Sequence, residues 1–154
     1  MLAAPLFAVA ILAAPVPHYE NDEPLTAPPK VGQEAPDFTL PELGEKEPVM
    51  LSTLSEDGPV VLMVLRGYPG YQCPICSRQV GAYLREAEAF EKLGAKVVMI
   101  YPGPEKNLQR FAREFAGGLD LPDGFTFLMD PGYTFANAYK LRWDAPRETA
   151  YPST

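Results

Sequence analysis

Cysteine occurs only twice in this chain, in the run Cys73-Pro74-Ile75-Cys76. Two thiols three positions apart can trade electrons as a dithiol and disulfide pair, with the thiolate as the attacking form. A strand-like run from Pro59 to Leu65 precedes them and an amphipathic helical pattern follows, so the pair falls at a strand-to-helix junction. The first turn of a helix has N–H groups without intrahelical partners and carries the positive end of the helix dipole. Both favour a thiolate. Pro74 suits an early helical position, where its missing N–H costs nothing. Three other uses of such a pair compete. Structural zinc needs four ligands, and the single histidine, His18, lies far upstream in a proline-rich stretch. A structural disulfide would close a very short loop and constrain the unfolded chain little. Two inert buried thiols would be ordinary core. Redox chemistry is the reading the pattern favours.

A chain of 154 residues supports one ordinary domain, and 47% apolar residues with eight Phe, eight Tyr and one Trp supply a core. Thirteen Lys and Arg against twenty Asp and Glu give a net charge of −7. With no basic cluster, binding of nucleic acid through phosphate neutralisation is not expected. About half of the eighteen prolines fall in the first fifty residues, which marks a compositional boundary. Residues 1–14 form an apolar leader too short for a membrane span of about 20 residues. It has the length of a signal-peptide core, with small-residue cleavage positions at Ala8-Val9-Ala10 or Ala13-Ala14, although no Lys or Arg precedes Lys30. The pattern predicts export to an extracytoplasmic or periplasmic compartment or tethering by the leader, and a cytoplasmic protein if the leader does not function. Residues 15–30 are an acidic, proline-rich linker, and residues 31–154 are the globular domain.

Within that domain, Asp37–Leu40 and Val49–Leu51 predict two short strands around a Gly44 turn, and Ser52 to Gly58 a connecting turn. Val60 to Leu65 is continuously apolar, as a strand buried on both faces would be. Val80, Tyr83, Leu84, Ala87, Phe90 and Leu93 recur with helical spacing and predict one helix ending at Gly94. A strand over Ala95–Tyr101, a helix over 104–116, a strand over Phe125–Met129 and a short helix over Tyr133–Leu141 follow. The alternation predicts an α/β fold with a central, mainly parallel sheet and helices on both faces.

With these residues placed, the chain resembles the thioredoxin-like superfamily, specifically the peroxiredoxin/AhpC-TSA (redoxin) branch and its C-x-x-C subgroup. The resemblance covers residues 31–154. It is carried by Gly32-Gln-Glu-Ala-Pro-Asp-Phe-Thr-Leu40, by Arg66-Gly67, and by the run from Tyr68-Pro69-Gly70-Tyr71-Gln72 into the cysteines and on through Ser77-Arg78-Gln79. The family motif Pro-x-x-x-Thr/Ser-x-x-Cys places Pro69 seven positions before a peroxidatic Cys76. Cys73 occupies the Thr/Ser position, so peroxiredoxin spacing carries a thioredoxin-type C-x-x-C. Tyr151-Pro152 looks like the segment where thioredoxins hold a cis-proline beside the disulfide. Pro152 also stands where peroxiredoxins often carry an arginine, with Arg147 close in sequence but out of register. The family fold continues with two antiparallel strands and a helix, so the resemblance implies a C-terminally truncated chain.

The resemblance implies a thiol-dependent antioxidant oxidoreductase with Cys73 and Cys76 as catalytic residues and Tyr68, Pro69, Tyr71, Pro74 and Pro152 supporting the loop. For a peroxide, Cys76 attacks and Cys73 resolves. For a protein disulfide, Cys73 attacks as the more exposed cysteine and Cys76 resolves. An external dithiol reductant, thioredoxin-like, restores either form, and no cofactor or metal is implied. The remaining alternative is a non-catalytic interaction module presenting Tyr68, Tyr71, Trp143 and Tyr151.

Overall fold

The computed structural model describes residues 25–45 and 47–154. The leader and most of the proline-rich linker lie outside the described residues. Three parallel strands, β3 (Val60–Val64), β4 (Lys96–Gly103) and β5 (Phe125–Pro131), form the central sheet in the order β3-β4-β5. Each is predominantly apolar because both of its faces are covered. Met63, Leu65, Val97, Met99, Tyr101, Phe125 and Phe127 point to one side, against Val80, Leu108 and Ala112. Val64, Val98, Ile100 and Leu128 point to the other, against Leu40, Phe135, Ala136 and Tyr139. The period-2 alternation of strand side chains divides the core into these two layers.

The first layer is roofed by α2 (Pro74–Arg85), α3 (Ala87–Lys92) and α4 (Leu108–Ala116). The second holds α1 (Leu51–Ser55) and α5 (Thr134–Ala138). A short antiparallel hairpin of β1 (Thr39–Pro41) and β2 (Pro48–Met50) extends the sheet beyond β5, where the Leu43 N–H donates to the Phe127 carbonyl. At the opposite edge, Ser153 and Val64 exchange antiparallel backbone bonds of 2.8 and 3.1 Å. No helix among the described residues is long and apolar enough to cross a membrane.

Several predicted boundaries are corrected. The single helix after the cysteines is two, broken at Glu86, whose φ of −101° and ψ of 15° leave the helical region. One misplaced residue leaves the apolar spacing nearly in phase, so the periodicity runs through the break unseen. Beyond it, Tyr83 and Phe90 stack at 5.4 Å and Phe90 meets Phe125 edge-on. Leu93, expected on the apolar face, is 73% exposed. Gly94 takes a φ of +62°, the left-handed end expected of it. The segment from Ser52 expected to be a turn forms α1, which begins at Leu51. The helix expected over 104–116 begins only at Leu108, after Asn107 in the left-handed region. The last helix is short because Tyr133, at φ 63°, and Lys140, at φ 56°, bracket it. Buried Asp130 accepts the Phe135 and Ala136 N–H groups at 2.9 and 3.0 Å and so fixes its start.

Candidate active site

Residues 66–73 connect β3 to α2 across the end of the sheet and deliver both sulfurs to the start of α2. Cys73 is the N-cap residue, and its Sγ accepts the Cys76 N–H at 3.3 Å, the role a Ser or Thr hydroxyl commonly fills. Its carbonyl accepts both the Ser77 N–H and the Ser77 hydroxyl. Pro74 occupies the first turn without loss of a bond. Cys76 Sγ accepts the Arg66 N–H at 3.4 Å, so that sulfur sits between the end of β3 and the first turn of α2. Both cysteines are free thiols, and both are buried, 4% exposed for Cys73 and 1% for Cys76. The expected contrast, an exposed Cys73 over a buried Cys76, is absent.

Burial, and then the hydrogen bond with Cys73, pushes the Cys76 thiol up to about 12. The Arg66 N–H and the Arg66 charge pull the other way without prevailing. The helix start therefore does not make a resting thiolate of Cys76, contrary to the expectation from position alone: desolvation outweighs two favourable dipoles.

The loop is pinned from two sides. Tyr68 stacks on Phe111 of α4, with ring centroids 3.8 Å apart and planes 7° apart. Gln72 accepts from the Tyr101 hydroxyl at 2.8 Å and donates to the Phe111 carbonyl at 3.0 Å, which uses both ends of its amide. On the other side Arg66 holds Glu148 bidentately, with Nε to Oε2 at 2.9 Å and Nη2 to Oε1 at 2.7 Å, and donates from Nη1 to the Tyr71 hydroxyl at 2.6 Å. The guanidinium also lies over the rings of Tyr71 and Trp143, and Trp143 stacks on Tyr151 at 4.8 Å. A cavity of about 530 Å³ opens between this cation and two loops, bounded by Pro69, Gly70 and Tyr71 on one side and Pro146, Arg147 and Glu148 on the other. Neither sulfur lines it; Arg66 is the residue shared by the cavity and Cys76.

Of the residues singled out in the sequence, Cys73, Cys76, Pro74, Tyr68, Pro69 and Tyr71 come together on this loop and helix start. Pro152 lies at the outer edge of β3, between Tyr151, which stacks on Trp143, and Ser153. It is exposed, no peptide bond among the described residues is cis, and its neighbour Ser153 pairs with Val64. Glu148 and the double role of Gln72 were missed. Glu148 lies 82 residues from Arg66, and no local spacing announces a contact of that range. Gln72, immediately before Cys73, carried a signal in being polar where the loop must turn into the core.

Residues 31–154 match the AhpC/TSA family. The chain belongs to the AhpC/TSA family. It is 33% identical to chloroplastic peroxiredoxin Q from Sedum lineare over 117 residues, 76% of this chain and 55% of that protein. The corresponding Arabidopsis thaliana protein is 35% identical over 115 residues, 75% of this chain and 46% of its own length. The chain thus spans about half the length of these curated relatives. Among solved structures, peroxidoxin BcpB from Mycobacterium tuberculosis superposes with a TM-score of 0.57 at 26% identity, covering 77% of this chain and 71% of its own. The fold is the thioredoxin-like one of that family, with the cysteine pair at the junction of β3 and α2.

One backbone contact in this AhpC/TSA site makes a direct prediction. Gly67, next to Arg66, has a φ of +74°, and a Cβ there would clash with the Pro102 carbonyl oxygen and stand 3.3 Å from the buried Thr149 hydroxyl, which has no hydrogen-bond partner among the described residues. Gly67→Ala combines an unfavourable backbone region with a clash against β4, so it should destabilise by about 2 kcal/mol or more. Urea unfolding measures it, and an unchanged midpoint would mean that the loop shifts freely off β4.

Proposed function

We propose that this protein is a thiol peroxidase in which Cys76 attacks the peroxide and Cys73 resolves the product. The observation that carries this reading is the bond from the Cys76 N–H to Cys73 Sγ at 3.3 Å, which holds both sulfurs on one helix turn. Cys76 as thiolate attacks one oxygen of the peroxide; the O–O bond breaks, Cys76 becomes a sulfenic acid, and the departing hydroxide or alkoxide takes up a proton. Cys73 then attacks the Cys76 sulfur, the S–S bond forms, the S–O bond breaks, and the oxygen leaves as water. An external dithiol returns both electrons by exchange through a mixed disulfide. Because Cys73 already caps the helix with its sulfur, the second step needs no unwinding of α2.

A thioredoxin-type disulfide exchange is the second reading, favoured by Cys73 in the place of the family's Thr or Ser. Burial weighs against it, since at 4% exposure Cys73 offers little room to a protein disulfide, whereas a peroxide is small. A non-catalytic module is less supported, because Tyr68 and Trp143 are engaged in stacks within the molecule. The first test is covalent. Mild peroxide should remove two hydrogens from the peptide containing both cysteines, consume one equivalent of peroxide, and be reversed by dithiothreitol. Two free thiols persisting after that treatment would end the redox reading.

A further inference from the structure

We propose that the cavity beside the cysteine loop is an anion subsite, in which Arg147 selects hydroperoxides that carry a carboxylate over uncharged ones. The inference rests on the peroxidase reading and assigns its organic substrate class. Two guanidinium groups and a single carboxylate line the cavity, a local positive excess in a chain of net charge −7. Arg66 is already committed, with Nε and Nη2 on Glu148 and Nη1 on the Tyr71 hydroxyl. Arg147 is exposed and has no ion-pair partner among the described residues, so its charge is available. Its φ of 65° is a costly conformation for a side chain of that size, one that the surrounding structure must hold in place.

The rest of the lining describes the body of the ligand. Pro69, Tyr71 and Pro146 present apolar surface, and Tyr71 is half exposed, which suits an aromatic or short aliphatic group next to the anion. At about 530 Å³ the cavity lies in the range of small-molecule sites, roughly 300–1,000 Å³. Arg66, which lines the cavity, is also the residue whose backbone N–H donates to Cys76 Sγ, so a ligand anchored at Arg147 lies against the loop that delivers that sulfur. Arg147 acts here as a specificity-determining residue and takes no part in the electron transfer.

The test uses a matched pair, cumene hydroperoxide and its para-carboxylate, with the full chain and the Arg147→Gln variant. The wild type should prefer the carboxylate in kcat/KM by about tenfold, as for a charge-assisted pair in a partly enclosed site. The preference should lie in KM and fall to about unity in Arg147→Gln. A direct binding arm titrates 4-isopropylbenzoate, which has no peroxide, against the fluorescence of the single tryptophan, Trp143, stacked over Arg66. Saturation in the wild type and its loss in the variant support the subsite even if neither hydroperoxide is consumed, an outcome that would overturn only the peroxidase reading. Equal use of both hydroperoxides together with no saturable titration overturns the subsite and leaves the cysteine chemistry standing.

Discussion

Cys76→Ser should abolish peroxide consumption, lowering the rate by about a thousandfold or more, because on the proposed assignment it removes the sulfur that forms the sulfenic acid. Cys73→Ser should behave in the opposite way on the first turnover. A serine hydroxyl at position 73 accepts the Cys76 N–H as an N-cap, so α2 keeps its start. The substitution also removes the second ionisable sulfur beside Cys76, whose charge is one of the influences holding the proton on Cys76. Its first attack on peroxide at neutral pH should therefore be as fast as in the wild type or faster, and a sulfenic acid should accumulate that a dimedone-type reagent traps. Cycling with an external dithiol should then slow, since no second cysteine resolves the intermediate. Circular dichroism should show both variants folded, since a serine hydroxyl can take over the backbone bond each sulfur accepts. Equal loss in both, with no trappable sulfenic acid, would assign the pair to disulfide exchange.

The parts of this architecture set by local pattern were legible in the sequence. Val60–Leu65 and Val97–Tyr101 are apolar without interruption, and only a strand covered on both faces uses such a run economically. Cys73-Pro74-Ile75-Cys76 announced a helix start by its proline, and the cap is there. What stayed hidden depends on distance in space. The sulfurs are buried in a core that gathers Met63, Val80, Met99 and Leu108, and their loop is pinned by Tyr68 on Phe111 and Gln72 on Tyr101, contacts across 43 and 29 residues of chain that no periodicity encodes. The ionisation of Cys76 was misjudged for the same reason: the helix start is a local property, while desolvation belongs to the packed molecule. Arg66 stood in the sequence as part of a motif, but its pairing with Glu148, and with it the cavity, needed the fold.

The pH dependence of Cys76 gives the second large effect, and one cause produces two measurable consequences. With the thiol pushed up to about 12, the thiolate is a small fraction at neutral pH and rises about tenfold per unit as the solution becomes more alkaline. If Cys76 is the nucleophile, the single-turnover rate with hydrogen peroxide should climb with that slope from about pH 8 to 11. In Cys73→Ser the climb should level off earlier, because one of the influences raising the thiol is gone. The same shift bears on stability. In the unfolded chain the thiol titrates near its ordinary value of about 8.5, whereas the folded state retains the proton to a much higher pH. A group raised on folding stabilises fully below its unfolded value, and that contribution is lost as pH rises through the folded one. Stability of the reduced protein should therefore fall between about pH 8.5 and 12, by about 3 kcal/mol at pH 11 from this group alone. Tyr101 and Tyr139, both raised by burial, act in the same direction, so the comparison must be with Cys76→Ser, which keeps the tyrosines and lacks the thiol. Denaturant melts in dithiothreitol should show the wild type losing stability more steeply than that variant across this window. A rate that is flat from pH 6 to 8 together with parallel stability curves would mean that Cys76 is already ionised below pH 6, and that the loop opens around it far more than the packing of Tyr68 and Gln72 allows.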